Sequence, residues 1–365
     1  MSDRLLAARN LGLKALRRLG AAHKPVTRLI KRSGRAQEQR RFRQDAGATD
    51  AEIARVARGT APIIAGPWLA EVGYEALYWV PFLRWFQDAY RIAPERLTVV
   101  SRGGVKDWYQ GIANGYVDLF DFFTPSDLAV RNDARMAEEE AGGRKQSTVG
   151  AFDRQIVERV CAARGLSEAQ VLHPSSMFRL FRHVWHGNLP FDLFWTRTRY
   201  ARIAPPPLPA IAALPQNFVA VKFYTGAALP DTASHRDMLH RLIERMAERT
   251  PVVMLDTGLA FDDHADYSFE NMPNVISARD WMQPGDNLAV QSALIARAGL
   301  FVGTCGGLAW LAPFLGTPSI AVYADDRQLA PHLFVARQAG RRADAADFMP
   351  LDLRALQQTR LTPDD

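Results

Sequence analysis

The sequence predicts an α/β fold of two Rossmann-like domains that face each other across a cleft. Three observations support this fold class. The 365 residues are enough for two domains of ordinary size. Short apolar, β-branched runs alternate with helix-length segments in both halves of the chain, as is typical of parallel sheets. A proline-rich linker at residues 205–215 separates the halves, and the alternation starts again after it.

The domain boundaries follow from the same alternation. The predicted order is a basic arm and linker, an N-terminal domain, the proline-rich linker and a C-terminal domain, over residues 1–50, 60–204, 205–215 and 216–345. The C-terminal domain shows the clearer pattern, with five strand-like runs separated by helical segments. These runs are residues 218–223, 251–255, 275–277, 299–303 and 318–323. They predict a doubly wound parallel sheet.

Positive charge is concentrated at the N-terminus. Residues 1–44 carry thirteen Lys or Arg and two acids, whereas the whole chain has a net charge of +6, so the remainder is net acidic. This distribution argues against a nucleic-acid surface on the folded body. Over residues 3–32, apolar and basic positions alternate at helical spacing. They predict either an amphipathic helix on an anionic membrane surface or a solvated arm. Residues 33–48 are polar and are predicted to form a linker.

Cysteine usage and hydropathy indicate a cytoplasmic protein. Cys161 and Cys305 are far apart and form no disulfide or metal-binding pattern. The chain has neither a run of 18 apolar residues nor the uninterrupted N-terminal apolar stretch of a secretory signal. If the arm binds lipid, the protein is expected on the inner face of the plasma membrane. The acidic cluster at residues 262–266 is predicted to be a solvated loop rather than a metal site.

The strongest chemical signal is a glycine loop between a strand and a helix. A buried strand leads into this loop, and a helix starts directly after it. Small residues let backbone N–H groups approach a diphosphate, and a helix N-terminus adds positive potential. The alternative is a tight turn without a ligand. The candidate donor-binding residues of this loop are Gly303, Thr304, Cys305, Gly306 and Gly307, with the Thr304 hydroxyl as an added donor.

Further candidates lie where other strands end. Tyr224 and Thr225 form a polar turn at the carboxyl end of a strand, where ligands bind in such sheets. Asp256 ends the next strand and is a candidate either for a ribose hydroxyl or for capping its turn. In the first domain, Arg102 follows a strand and is assigned to an acceptor phosphate. Trp68, in the loop after the first strand, is assigned to the acceptor as well.

Residues 303–323 resemble the donor-binding segment of the bacterial heptosyltransferases and their relatives, which have the GT-B fold. The shared features are a small-residue loop, an Ala-containing helix, the turn Gly316–Pro318 and a following strand. Trp310 lies near a position where the family often has histidine. The resemblance implies a nucleotide-sugar donor, two domains of the GT-B type, no cofactor and no bound metal.

The resemblance also implies roles for three charged residues. Family members carry an acidic residue on the first strand-to-helix loop, where it acts as general base on the acceptor hydroxyl. Glu71 matches this position best, and Glu75, one helical turn later, is the second candidate. Both acids could instead be charges at a helix N-terminus. Lys222 matches a strand end that supplies a basic or polar group to the donor phosphates, the alternative being a solvated lysine.

The expected function is therefore a metal-independent glycosyltransferase of the hexosyl or heptosyl type, acting in polysaccharide biosynthesis. Its expected partners are a nucleotide-sugar donor, a cell-surface glycan or lipid-linked acceptor, and an anionic membrane surface through residues 1–44, with no nucleic acid. Two alternatives stay open because a fold does not determine function. One is a nucleotide-sugar epimerase on the same fold. The other is a non-catalytic sugar-nucleotide-binding scaffold of envelope assembly.

Overall fold

A computed structural model of the chain describes residues 37–138, 146–207, 211, 214–259, 264–267, 269 and 272–358. It contains two parallel sheets flanked by helices, which confirms the predicted α/β fold class. The N-terminal half has helices α1 (37–58), α2 (Val72–Tyr74), α3 (Val80–Tyr90), α4 (Pro125–Glu138), α5 (Ala151–Ala163), α6 (Pro174–Trp185) and α7 (Asp192–Trp195). Its strands are β1 (Ile63–Ala65), β2 (Leu97–Ser101), β3 (Gly115–Asp118) and β4 (Gln170–Leu172).

The C-terminal half contains the larger sheet. Its helices are α8 (Ala233–Ala247), α9 (Asn287–Arg297), α10 (Gly307–Leu311), α11 (Ala330–Arg342) and α12 (Leu353–Gln358). Its strands are β5 (Val219–Lys222), β6 (Val252–Met254), β7 (Val275–Ser277), β8 (Leu300–Thr304), β9 (Ser319–Tyr323) and β10 (Phe348–Asp352).

Each sheet brings the carboxyl ends of particular strands together. The first sheet has the order β3-β2-β1-β4 and the second has β10-β9-β8-β5-β6-β7. In the second sheet, β5 and β8 are neighbours at the point where the chain reverses its winding direction, and Lys222 pairs there with Gly303. Ligands of open parallel sheets bind outside the carboxyl ends of strands at such a point. The topology therefore places the end of β5 beside the glycine loop.

Residues 37–58 form a helix, so the predicted linker over residues 33–48 is wrong from residue 37 onward. Apolar side chains recur along this helix at helical spacing and are buried in the core: Ala46, Ile53, Val56 and Ala57. Its polar face forms ion pairs with the body, including Asp50 with Arg197. The predicted membrane-binding segment at residues 3–32 lies outside the described residues. No helix in the described part of the chain is long and apolar enough to cross a membrane.

The two halves are packed against each other. One continuous apolar core contains residues of both sheets. The carbonyl oxygen of Gly103, after β2, accepts hydrogen bonds from the backbone N–H groups of Leu288 and Ala289 at the start of α9, at 3.0 and 2.9 Å. On α11, the buried His332 ring is hydrogen-bonded to the hydroxyls of Tyr74 and Tyr78. These contacts fix the walls of the space between the halves.

Candidate functional site

Two adjoining cavities lie where the carboxyl ends of the two sheets meet. The first cavity is lined from the N-terminal half by Glu71, Val72, Gly73 and Arg102, and from the C-terminal half by Lys222, Tyr224, Thr257, Leu259, His264, Asp266, Asn287, Leu288, Gln291, Gly307 and Leu308. The second cavity lies beside it, and Glu71, Tyr224 and His264 line both. The remaining walls of the second cavity include Tyr74, Gly306, Trp310, Asp325, Arg327, Gln328 and His332.

The glycine loop lines both cavities, the first with Gly307 and Leu308 and the second with Gly306. The N–H groups of Gly306, Gly307 and Leu308 have no hydrogen-bond acceptor among the described residues. Gly306 and Gly307 have φ of +129° and +38°, conformations that side chains disfavour. A Cβ at Gly306 would lie 2.6 Å from the Tyr224 hydroxyl oxygen. The following helix, α10, has only five residues, so these N–H groups, rather than a long helix dipole, are what the loop offers to an anion.

The other residues of the predicted loop support its backbone. The Thr304 hydroxyl donates to the carbonyl oxygen of Tyr224 at 3.0 Å and accepts from its N–H at 2.9 Å. It therefore ties the end of β8 to the end of β5, and is not the added ligand donor that the sequence suggested. Gly303 is buried in β8, where a Cβ would collide with the carbonyl oxygen of Lys222. Burial raises the pKa of the Cys305 thiol to about 12, which keeps it neutral.

Lys222 faces the first cavity in an ion pair. Its Nζ donates to the carboxylate of Asp266 at 3.0 Å and to the carbonyl oxygen of Leu255 at 2.9 Å. The same carboxylate oxygen accepts from the backbone N–H of Thr257 at 3.0 Å. A carboxylate thus occupies a position that is surrounded by donors and could also suit a phosphate oxygen. The sequence predicted a solvated loop around Asp266, but two described residues of that loop, His264 and Asp266, line the first cavity.

Glu71 lies at the junction of the two cavities, on a turn that is held from both sides. Burial raises the pKa of Tyr74, and the charge of the nearby, half-buried Glu71 raises it further. Arg102 donates to the carbonyl oxygens of Ala70 and Trp68 at 3.0 and 3.4 Å, which fixes the residues directly before Glu71.

The buried Gln146 clamps the same loop further upstream. Its side-chain oxygen accepts from the N–H of Leu69 at 2.8 Å, and its Nε2 donates to the carbonyl oxygen of Pro67 at 2.9 Å. Gln146 is 77 residues away from Leu69 in sequence, and no local motif predicts this contact. Together with Arg102, it gives the Glu71 turn the rigid support that a functional carboxylate requires.

Glu75, the second candidate acid, is fully buried and lines neither cavity. Its Oε1 accepts hydrogen bonds from the hydroxyls of Ser101 and Tyr109, both at 2.5 Å. Burial raises the pKa of Glu75 to about 7, although these hydrogen bonds and the charge of Arg102 lower it. Glu75 begins a π-helical turn, Glu75–Trp79, a rare element that often occurs next to functional sites. It lies behind the cleft, where it cannot touch a ligand.

Three other predicted residues lie away from the two cavities. Trp68 is fully buried and stacks on Trp79 and Phe178 with ring centroids 5.8 Å apart, so it belongs to the core and not to an acceptor surface. Asp256 is buried and accepts hydrogen bonds from Ser277 and Arg279, linking the ends of β6 and β7. Thr225 lines a separate outer cavity. At each of these three positions the side chain packs in the core or forms a hydrogen bond with a neighbouring group, and does not line the two cavities.

Sequence reasoning missed the residues that helices bring to the cleft. Asn287 and Gln291 on α9 and His332 on α11 line the cavities. None of the three belongs to a motif, but Asn287 and Gln291 are spaced by four residues on a mostly apolar helix, which is a signal for one polar face. Trp310 on α10 lines the second cavity and lies in the segment 303–323 that the sequence singled out. Among the described residues, no group of three or more His, Cys, Asp or Glu side chains is placed to hold a metal ion.

Comparison with known proteins gives structural matches alone. No protein-family model and no curated protein sequence matches the chain. Among solved structures, it is similar to the iron-containing dodecameric glycosyltransferase TibC of enterotoxigenic E. coli (14% identity, TM-score 0.39), covering 72% of this chain and 58% of TibC. It is also similar to E. coli heptosyltransferase WaaC with ADP (15% identity, TM-score 0.38), covering 82% of this chain and 98% of WaaC.

A third match is the glycosyltransferase SnogD from Streptomyces nogalater, at 14% identity and a TM-score of 0.31, with 82% of this chain and 98% of SnogD covered. The chain spans less than two thirds of the length of TibC. The structure is thus similar to glycosyltransferases that include a heptosyltransferase, the family that residues 303–323 resemble. Because one fold hosts many activities, the chemistry has to be read from the cleft itself.

Proposed function

We propose that this protein is a glycosyltransferase that moves a sugar from a nucleotide diphosphate to a hydroxyl of a cell-surface glycan or lipid-linked acceptor. One observation carries the proposal. A carboxylate, Glu71, lines the same cavity as two cationic side chains, Lys222 and Arg102, and the glycine-loop N–H groups. Sugar transfer from a diphosphate requires a base on the acceptor side and positive potential on the leaving-group side. In this proposal Glu71 supplies the base, and Lys222 with the glycine loop supplies the positive potential from the other half of the chain.

The donor diphosphate would bind at the glycine loop. The N–H groups of Gly306, Gly307 and Leu308 are available to phosphate oxygens, and Lys222 lies at the adjoining strand end. Negative charge builds up on the diphosphate as the bond to the sugar breaks. Fixed donors aimed at that charge stabilise the transition state more than the ground state. Within this proposal the leaving group needs no metal ion.

Glu71 would act as the general base. Its position at the junction of the two cavities lets it reach an acceptor hydroxyl that approaches a sugar held beside the glycine loop. Taking the proton as the new bond forms contributes about 10²- to 10⁴-fold to the rate. Arg102, from the same half as Glu71, is suited to an acidic group on the acceptor. Glu75, because it is buried behind the cleft, would support the structure instead of reacting.

The finer expectations belong to the same proposal. We propose a transferred hexose or heptose, a place in polysaccharide biosynthesis, and action at the cytoplasmic face of the plasma membrane through residues 1–44. The membrane part predicts binding to anionic vesicles that weakens at high salt. Equal vesicle binding by the full-length protein and by a variant without residues 1–36 would contradict the proposed membrane binding.

The deciding experiment combines a binding screen with a transfer assay. A thermal-shift screen against nucleotide sugars identifies the donor, because a ligand that binds the native state raises the unfolding temperature. Incubation of that donor with glycan and lipid-linked acceptors should then give a glycosylated acceptor and the free nucleoside diphosphate. An altered sugar on the intact donor, formed without an acceptor, would indicate the epimerase. Donor binding with no turnover on any acceptor would indicate the scaffold.

A further inference from the structure

A buried side-chain oxygen at the first cavity has no hydrogen-bond partner. Gln291, on α9, is 1% exposed and lines the cavity. Its Oε1 makes no hydrogen bond with the described residues. Buried polar atoms in folded proteins nearly always have a partner, and leaving one without a partner is costly. An acceptor of this kind beside a cavity therefore points to a ligand that donates a hydrogen bond.

The orientation of the Gln291 amide is fixed by its neighbours. Its Nε2 donates to the backbone carbonyl oxygen of Asn287 at 3.0 Å and to the side-chain oxygen of the same residue at 3.3 Å. A backbone carbonyl can only accept, so exchanging the amide nitrogen and oxygen would place two acceptors together. The Asn287 side chain is held in turn, because its Nδ2 donates to the carbonyl oxygen of Pro284 at 2.6 Å. The only hydrogen-bonding atom that Gln291 has left for a ligand is therefore the acceptor Oε1.

The surroundings of Gln291 differ from those of the second cavity. Three leucine side chains line the first cavity, namely Leu259, Leu288 and Leu308, and its charged groups are Lys222, Arg102, Glu71 and Asp266. The second cavity instead contains the polar groups Asp325, Arg327 and Gln328. Leucine walls together with the Gln291 acceptor suit a flat heterocycle with an N–H edge. A wall of several polar groups suits a sugar with many hydroxyls.

We propose that Gln291 Oε1 accepts a hydrogen bond from a base N–H of the nucleoside diphosphate, and that the part of the first cavity beside Gln291 is the nucleobase subsite. The proposal rests on the proposed function, because it requires the phosphates to bind at Gly306–Leu308 between the two cavities. Gln291 is then a residue that determines donor specificity. A base that presents only acceptors at this edge would face Oε1 without a proton and would be rejected.

The test uses isothermal titration calorimetry on the full-length protein with pyrophosphate, the four nucleoside diphosphates (ADP, CDP, GDP and UDP) and the matching nucleotide sugar. Gln291→Leu keeps the size of the side chain but removes the acceptor. We expect it to weaken the best nucleoside diphosphate by about 10- to 100-fold, the effect of losing a buried hydrogen bond, while pyrophosphate affinity stays unchanged. The same substitution outside both cavities, Gln155→Leu on α5, should change neither affinity.

The outcomes separate this proposal from the function on which it rests. If no phosphate ligand binds the wild type, the proposed function fails. If nucleoside diphosphates bind and Gln291→Leu leaves their affinity unchanged, only the nucleobase subsite is overturned. If only the nucleotide sugar loses affinity, Gln291 contacts the sugar and the proposal is equally overturned. A folding defect is recognised separately from the thermal midpoint and from pyrophosphate binding, which a purely structural role would change together.

Discussion

Gly73 lies directly against Gly307, so the turn that carries Glu71 touches the glycine loop across the cleft. A Cβ at Gly73 would lie 2.5 Å from the backbone nitrogen of Gly307 and 3.0 Å from the ring of Trp310. The distance between the proposed base and the proposed phosphate site therefore depends on a residue without a side chain.

Gly73→Ala should consequently push the two walls apart. We expect donor affinity and turnover to fall together and the free energy of unfolding to drop by about 1–3 kcal/mol, as for other overpacked sites. Calorimetry and urea denaturation measure the two effects. Gly47→Ala is the control, because its Cβ would meet nothing within 4 Å. Full donor affinity in a folded Gly73→Ala protein would contradict the close contact.

The glycine loop itself should not tolerate a larger residue. Gly307 has a φ of +38°, and a Cβ there would lie 3.3 Å from the Tyr224 hydroxyl oxygen. Gly307→Val should therefore reduce pyrophosphate and donor affinity by more than about 100-fold, since the N–H groups can no longer approach phosphate. Gly316→Val, also at positive φ but with no neighbour for its Cβ, controls for backbone strain alone. Unchanged pyrophosphate binding in folded Gly307→Val would exclude the loop from the site.

Because Lys222 and Asp266 form an ion pair, we expect substitutions of the two residues to change pyrophosphate affinity in opposite directions. Phosphate must compete with the Asp266 carboxylate, so Asp266→Asn should raise pyrophosphate affinity, on the order of 5-fold for a pair of this exposure. Lys222→Met should lower it by roughly 10- to 100-fold, because a charge-assisted hydrogen bond is lost. Titrations at two salt concentrations measure both. Weaker binding in Asp266→Asn would mean that Asp266 orients Lys222 instead of competing with the ligand.

Glu75 predicts a pH dependence of stability. Burial raises its pKa from 4.5 to about 7 in the folded protein. Between these values the folded state keeps a proton that the unfolded chain has released. The stabilising contribution is thus complete below pH 4.5 and is lost as the pH rises through about 7. From pH 4.5 to 8, wild type should lose about 3 kcal/mol relative to Glu75→Gln.

Urea denaturation across that pH range checks this prediction. Glu75→Gln still offers an oxygen to Ser101 and Tyr109, so the variant should fold. Glu168→Gln, at an exposed position, should follow the wild-type curve at every pH. A constant difference between wild type and Glu75→Gln would show that Glu75 does not titrate in this window.

The four inner strands of the second sheet, β5, β6, β8 and β9, could be predicted because they are largely buried, whereas the edge strand β10 lies beyond the predicted domain end at residue 345 and was missed. Residues 275–277 match β7, and the expected runs at 218–223 and 318–323 differ from β5 and β9 by one residue at one or both ends. The first sheet was harder. Strand β4, for example, has three residues of which two are only half-buried, so its apolar pattern is weak. Such short elements depend on their neighbours more than on their own pattern.

The candidate site could be predicted only where backbone geometry and strand ends define it. Glycines after β8 and a lysine at the end of β5 signal their positions in the sequence. The roles of Trp68 and Asp256 could not be read in this way, because a tryptophan or an aspartate looks the same in sequence whether it faces a ligand or a neighbouring ring or arginine. The spacing of Asn287 and Gln291 indicates a polar face on α9, but only the packing of α9, a long-range property, brings that face to the cleft.

Glu71→Gln is the measurement that tests the proposed chemistry most directly. The substitution keeps the size and polarity of the side chain but removes the basic oxygen. Steady-state transfer with the donor found in the screen should fall by roughly 10²- to 10⁴-fold, whereas the calorimetric donor affinity should stay nearly unchanged. The exposed Glu158→Gln on α5 should retain wild-type turnover. Wild-type turnover in Glu71→Gln would contradict the assignment of the base, and with it the reading of this cleft as a sugar-transfer site.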